Sequence, residues 1–250
     1  MRRSFAFIFT LLIFTACAEL SQVVKNFDSN QPLTQSEVIN GLKQALVIGA
    51  DSAAQQLSIT NGYYGDELVK ITLPPQAQTI TQNLSKIPGG EKMVEDVLLR
   101  INRAAEDAAK EAAPIFAKAI SQMTIQDGFK ILNGSNNAAT QYLKMQTYDE
   151  LYNLYQPKIK ASVGKKLVGN ISTNDAWETL SGQRNRIAQS FVGQMADLES
   201  VEMELDQYLT EKALDGLFIK LANEENEIRT NAEARVTDLL RRVFGSTNAQ

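Results

Sequence analysis

The chain has 250 residues, of which 44% are hydrophobic and 22% are charged, and its formal net charge is −4. This composition is that of a globular protein and excludes a chain disordered by its charge, while the mildly acidic balance offers no basic surface for nucleic acid. The sequence has no histidine, and Cys17 is its single cysteine, so the commonest general base and the usual zinc ligands are missing. We therefore expect no cofactor, no bound metal and no nucleic-acid partner, and no catalytic residue can be named.

The first residues have the features of a bacterial secretory leader. Arg2 and Arg3 precede an apolar run, Phe5–Phe14, which contains one polar residue and is shorter than the roughly 20 residues needed to span a bilayer. The run ends in Phe14-Thr15-Ala16-Cys17, which resembles the bacterial lipobox, in which the cysteine receives a diacylglyceryl group. This pattern predicts a signal peptide over residues 1–16 and lipidation at Cys17.

An alternative interpretation is cleavage after Ala18 by ordinary signal peptidase, which would release an unanchored protein. The lipobox interpretation is favoured because it accounts for the position of the single cysteine. Acylation on two or more chains is sufficient to hold a protein on a membrane. In lipoproteins, a residue other than aspartate after the cysteine favours the outer membrane, and here that residue is Ala18. We expect an outer-membrane lipoprotein that faces the periplasm.

Residues 17–33 are polar and read as a tether, which could extend to about 50 Å at most. Thr34-Gln35-Ser36-Glu37 fits a helix capping box, so a single helical domain is predicted over residues 34–245, followed by a tail over residues 246–250.

Apolar residues recur at helical spacing through most of this domain. The predicted long helices cover residues 94–119, where Pro114 should kink or split the helix, and residues 205–230. A second capping box is predicted at Thr147–Glu150, and the pattern over residues 172–196 is ambiguous. The predicted fold class is all-α, an irregular helical bundle with at most one short extended excursion or hairpin near residues 68–73.

Seven short motifs stand out along the domain. They are Gly62–Asp66, Asn102–Glu106, Ala119–Asp127, Ile131–Gly134, Ala138–Tyr142, Lys212–Phe218 and Glu224–Arg229. Taken together they resemble a bacterial family known only as domain of unknown function 4197. The resemblance spans Thr34–Phe244 in family order, apart from Ser181–Glu202, which does not match, and Asn231, where such sequences often carry proline. It implies a fold and an envelope location but supplies no catalytic residues.

Seven polar residues on two predicted helices form a candidate polar cluster: Asn102, Arg103, Glu106, Glu224, Glu225, Glu227 and Arg229. Its members could form a polar site at a helix crossing, or they could be helix-surface residues in ion pairs four positions apart. The three glutamates lie near the negative end of the C-terminal long helix, where carboxylates are unfavourable. We therefore expect at least one of them to pair with an arginine, the candidates being Arg229, Arg235 and Arg103.

A candidate basic patch consists of Lys158, Lys160, Lys165 and Lys166, in a stretch without acids between Leu151 and Asn174. It could lie against anionic headgroups, polysaccharide or an acidic partner, or it could be an ordinary solvated surface.

These features favour an envelope interaction or structural module over an enzyme. One alternative is a module that binds an apolar or lipid-like ligand between its helices, which would require a sizeable apolar cavity. The least favoured function is a hydrolase that uses acids alone, which would require a cleft. The membrane, through the lipid anchor, and an envelope protein or anionic headgroups are the expected partners.

Overall fold

The structure is a computed structural model that describes residues 33–77, 81–82, 88–168, 170–197 and 200–247. The predicted signal peptide, Cys17 and nearly all of the tether lie outside these residues, as do residues 248–250 of the tail. The chain divides into two units, Met1–Thr34 and Gln35–Gln250. The first is described only at its last two residues, and the fold below is that of the second.

Helix dominates the described residues, so the predicted all-α fold is confirmed. A short antiparallel pair of strands, β1 (Lys166–Val168) and β2 (Ile171–Ser172), aligns Lys166 with Ser172 and Val168 with Ile171. Single 3₁₀ turns form at Pro75–Ala77 and Ala232–Ala234. The α-helices are α1 (Gln35–Ser58), α2 (Gly90–Ala109), α3 (Ala112–Gln122), α4 (Ile125–Leu132), α5 (Ala138–Val163), α6 (Thr173–Ala188), α7 (Phe191–Met195), α8 (Leu205–Thr230) and α9 (Asp238–Thr247).

Four long helices form the centre of the bundle. Helix α5 packs against α2 and α8, and α1 packs against α2 and α8, with α3, α4 and α9 also covering α1. Leu143, Leu151 and Ile159 of α5 and Leu209 and Leu217 of α8 are completely buried. Full burial of each such side chain stabilises the fold by about 1.5–3 kcal/mol, so this seam holds the bundle together.

Pro114 splits the predicted long helix, as expected. Helix α2 ends at Ala109 and α3 begins at Ala112, which makes Pro114 the third residue of α3. A proline in a first helical turn lacks only a backbone N–H that has no partner within the helix. The chain can therefore change direction before the proline and resume the helix through it.

Two local predictions are wrong. The stretch at residues 68–73 is a turn followed by irregular backbone, and the strands lie instead at Lys166–Ser172. Thr147 does not cap a helix but lies inside α5, where its hydroxyl donates to the carbonyl of Leu143 at 2.7 Å. No helix begins at Thr147, because α5 continues through it from Ala138 to Val163.

Residues 166–168 and 170–197, which comprise β1, β2, α6 and α7, pack largely on one another, and we call this segment the arm. Ser172 and Asp175 form a capping box that begins α6, and hydrogen bonds from the backbone and hydroxyl of Ser172 lower the pKa of Asp175. The indole of Trp177 is 4% exposed and donates to the carbonyl of Met203 at 3.3 Å. This tryptophan attaches the arm to the segment that leads into α8.

Candidate functional site

The first group of the polar cluster is centred on Glu106, a buried carboxylate on α2. One of its oxygens accepts the backbone N–H groups of Tyr63 at 3.2 Å and Tyr64 at 3.3 Å, and the other accepts a hydrogen bond from the Arg103 guanidinium. Arg103 also donates to the side-chain oxygen of Asn61 at 2.7 Å. Glu106 and Arg103 therefore bind the loop after α1 to the side of α2.

Asn102, which is completely buried, holds a second segment on α2. Its side-chain oxygen accepts the N–H of Ile71 at 2.9 Å, and its amide nitrogen donates to the carbonyls of Ile71 at 2.9 Å and Leu98 at 2.8 Å. Both backbone groups of Ile71 are thus paired with one side chain, in the way that a neighbouring strand would pair them. This side chain therefore holds Ile71 in place although the predicted strand does not form.

The second group is centred on Glu225 of α8, and it confirms the expected pairing with an arginine. The Glu225 carboxylate lies 2.8 Å from the terminal nitrogen of Arg229, which also donates to the carbonyl of Ile131 at 3.0 Å. It accepts the backbone N–H groups of Ala139 at 3.0 Å and Thr140 at 2.8 Å, and the Thr140 hydroxyl at 2.8 Å. Its hydrogen-bonding capacity is used within the fold.

These contacts make Glu225 a cap for another helix. Ala139 and Thr140 lie in the first turn of α5, where backbone N–H groups have no partner within the helix. The N-cap residue of α5, Asn137, makes no side-chain capping hydrogen bond. A carboxylate at a helix N-terminus is electrostatically favourable, so Glu225 from α8 supplies the cap that α5 lacks.

The other two glutamates have different surroundings. Glu224 accepts a hydrogen bond from the side-chain amide of Gln56 on α1 at 2.5 Å, and Glu227 is exposed and accepts one from Asn231 at 3.3 Å. Arg235 binds no glutamate of this group: its guanidinium donates to the carbonyls of Ile228 at 3.0 Å and Arg229 at 2.8 Å. Its positive charge offsets the negative end of α8.

The structure thus distributes the seven predicted residues instead of gathering them around one site. Asn102, Arg103 and Glu106 fasten the segments between α1 and α2, whereas Glu225 and Arg229 fasten α8 to α5. Both groups fix one segment of the fold on another through hydrogen bonds from their side chains to backbone groups. The contacts of the described residues therefore favour a structural role over a polar site at a helix crossing.

The candidate basic patch is also divided. Lys158 lies 2.7 Å from the carboxylate of Asp107 and 2.9 Å from that of Glu111. Hydrogen bonds to these two acids raise the pKa of Lys158, and the bond to Asp107 has the larger effect. Lys160 lies 3.5 Å from the buried carboxylate of Asp206. These two lysines bind acids of the bundle, which the local absence of acids in the sequence did not reveal.

Lys165 directly precedes the arm, and Lys166 is its first residue. Both are exposed, and Lys166 donates to the side-chain oxygen of Asn170 at 2.9 Å. The four lysines therefore do not form one free cationic surface.

A small cavity lies beside Glu225, between α1, α5 and α8. Its lining is mostly apolar, and the room inside for a water-sized molecule is about 10 Å³, about that of one water. Sites for drug-sized ligands have volumes of about 300–1,000 Å³. This cavity is too small for a lipid chain. Its lining includes Ala45, Leu46, Gly49, Leu143, Leu221 and Ile228.

The sequence interpretation missed an apolar surface at the tip of the arm. Phe191, Val192 and Met195 of α7 are 77%, 71% and 75% exposed, and Ile187 of α6 is 55% exposed. A signal was available, since Ser190 before Phe191-Val192 is a helix N-cap pattern followed by large apolar residues. We call Ile187, Phe191, Val192 and Met195 the apolar tip.

In the described parts of the chain no helix is both long and apolar enough to cross a membrane. No group of three or more acidic or cysteine side chains within those same ranges is arranged to hold a metal ion.

The model of a family described as a protein of unknown function (DUF4197) matches residues 32–245. No curated protein and no solved structure matches the chain.

Proposed function

The chain belongs to the DUF4197 family of proteins of unknown function, and we propose from its own residues that it is a lipid-anchored interaction or structural module of a bacterial envelope. Acylated Cys17 holds the helical domain at the periplasmic face of the outer membrane. The domain acts there through surface contacts and not through catalysis.

The observation that carries this proposal is the use of the two buried glutamates. Glu106 binds two backbone N–H groups and Arg103, and Glu225 binds two backbone N–H groups, Thr140 and Arg229. A carboxylate whose two oxygens are both engaged in this way has no free face for a substrate. The residues best suited to acid chemistry are therefore structural.

The same geometry weakens the alternatives. An acid-only hydrolase needs two carboxylates facing one cleft, but Glu106 and Glu225 bind different segments of the fold. A binder of apolar ligands needs a cavity far larger than the one beside Glu225. What the domain does offer to a partner is its surface.

The anchor is tested by the variant Cys17→Ser in the producing bacterium. We expect the parent chain to fractionate with outer membranes and to carry acyl chains detectable by mass spectrometry, and the variant to lose both properties. Unchanged fractionation of the variant would show that the lipobox interpretation is wrong.

The interaction role is tested by photo-crosslinking in intact cells. A crosslinking amino acid is placed at exposed positions of the bundle and the arm, such as Met145 and Met195. We expect position-dependent adducts to envelope components. Uniform absence of adducts at all exposed positions, in cells where the protein is anchored, would contradict an interaction module.

A further inference from the structure

The apolar tip is the largest group of exposed apolar side chains that lie close together in sequence among the described residues. In α7, Val192 follows Phe191 directly, and Met195 lies four residues after Phe191. The three side chains therefore lie on the same side of this short helix. Each is more than 70% exposed. Large apolar side chains presented together on a surface mark a site of contact with a protein or a membrane.

Local contacts hold the backbone of α7 in place. The hydroxyl of Ser190 accepts the N–H of Gly193 at 3.2 Å and begins α7. Gly193 faces the arm so closely that an added Cβ would lie 2.0 Å from the carbonyl oxygen of Ile187. The side of α7 that carries Gly193 is therefore packed on α6, and the opposite side is held outward.

A second bracket closes the arm behind the tip. The side-chain oxygen of Asn185 accepts the N–H of Val201 at 2.7 Å, and its amide nitrogen donates to the carbonyl of Val201 at 2.9 Å. The chain entering and leaving α7 is thus joined at its base. The tip is a folded feature and not a loose loop.

Charges of both signs lie near the tip in sequence. From Thr179 to Ala196 the charged residues are Arg184 and Arg186, and Asp197 follows Ala196. Arg186, which directly precedes Ile187, and Asp197 are both exposed. No excess of one charge therefore selects the partner, and it is the apolar side chains of the tip that suit the boundary between headgroups and acyl chains.

We propose that the apolar tip inserts into the boundary between headgroups and acyl chains of the membrane to which the chain is anchored. This inference rests on the proposed function for the anchor itself. The tether does not forbid it, because its reach of up to about 50 Å exceeds the radius of gyration of about 17 Å expected for a domain of this length.

A lipid surface suits the tip better than a protein partner does. A stable protein interface buries about 800 Å² on each partner, and four side chains of this size supply on the order of half that area. Shallow insertion into a bilayer needs no such area, since the acyl anchor already keeps the tip at high local concentration. The anchor and the tip together would orient the domain on the membrane.

The test measures how deeply residue 195 lies in the bilayer. Met195→Cys in the full, acylated chain is labelled with a nitroxide and reconstituted in vesicles of equal parts phosphatidylethanolamine and phosphatidylglycerol. Met145→Cys is the matched control, because Met145 is 77% exposed on α5. We expect the ratio of collisions with oxygen to collisions with a water-soluble nickel complex to be several-fold higher at position 195. Equal, aqueous ratios at both positions would overturn the proposal.

A second variant removes the tip's apolar character without touching its backbone contacts. With the label at position 195, Phe191→Ser should lower the collision ratio toward the value of the control. An unchanged high ratio would show that insertion does not involve this surface. Crosslinks from position 195 to a protein in intact cells, combined with an aqueous label in vesicles, would replace the membrane by a protein partner.

Failure of the anchor is detected separately. An acylated Cys17 has no free thiol, so labelling of the parent chain at Cys17 shows that the anchor proposal is wrong. The same measurement at position 195 is then made in a Cys17→Ser background. In that background, a label immersed in the bilayer of vesicles that retain the chain supports insertion of the apolar tip. An aqueous label, or vesicles that do not retain the chain, overturns the proposal.

Discussion

The substitution Glu225→Gln removes the charge from the carboxylate that joins α8 to α5 and leaves its shape nearly unchanged. Glutamine keeps one acceptor oxygen, but its NH₂ group must face either Ala139 and Arg229 or the two donors of Thr140. Donors then face donors at the start of α5. Arg229, whose side chain is 15% exposed, loses its counter-ion at the same time.

The expected loss of stability follows from these contacts. Breaking a buried ion pair by removing one partner costs about 3–5 kcal/mol. Because glutamine retains one acceptor, and because Arg229 still donates to the carbonyl of Ile131, we expect the lower end, about 3 kcal/mol. For a domain of this length each kcal/mol lowers Tm by about 2–4 °C, so Tm should fall by about 6–12 °C.

The measurement is thermal unfolding followed by circular dichroism, with urea unfolding to obtain the free energy. Glu227→Gln is the matched control, because Glu227 lies on the same helix, is exposed, and should change stability by no more than about 0.5 kcal/mol. If both variants melt with the parent, the carboxylate is not a structural cap. Raised stability in Glu225→Gln would indicate a site kept for a ligand at a cost in stability.

Three further predictions concern other contacts. Asn102→Asp places a carboxylate oxygen against two backbone carbonyls and should destabilise the fold by about 2–4 kcal/mol in urea unfolding; an unchanged midpoint would exclude the bridging role. The pKa of Asp66 is lowered chiefly by a hydrogen bond from Lys220. The pair therefore stabilises the fold above the unfolded aspartate pKa of about 3.9, and this stabilisation is lost as the pH falls through the lower pKa of the folded state. Asp66→Asn should therefore reduce the loss of stability on acidification by at most about 1 kcal/mol, so Tm should fall less steeply with falling pH. An unaltered slope of Tm against pH would contradict this. Gly193→Ala, which pushes a Cβ into a carbonyl, should make the arm sensitive to limited proteolysis, whereas Gly182→Ala, with nothing within 4 Å, should stabilise α6 by about 0.5–1 kcal/mol. Equal protease resistance of the two glycine variants would show that α7 is not held by close packing on α6.

The sequence predicted helices well where local signals agreed. Helix α8 spans Leu205–Thr230 as predicted, because a long apolar periodicity fixes its buried side. The split before Pro114 was predictable because a proline affects its own and the preceding helical turn. Both predictions depend on residues within a few positions of one another.

Local signals failed where distant residues decide the structure. Thr147 fits a capping motif in sequence, but α5 continues through it because Leu143, Leu151 and Tyr155 of the same helix are all buried in the core. The irregular segment around Ile71 is held by the side chain of Asn102, which lies 31 positions away in the chain. Neither the burial of these α5 residues nor the contact between Asn102 and Ile71 can be recognised from the apolar periodicity of the nearby sequence.

Glu225 shows how a residue that is unfavourable on its own helix can be favourable in the fold. Near the negative end of α8 a carboxylate is a poor choice, but its oxygens lie at the positive end of α5, where the N–H groups of Ala139 and Thr140 need an acceptor. The dipole of α5 and the charge of Arg229 both act to offset the penalty from α8. A local rule broken in the sequence therefore marked a contact between helices and not a ligand site. Since Glu106 is bound by backbone in the same way, both buried carboxylates serve the assembly of the domain, whereas the exposed side chains of the apolar tip have no such role.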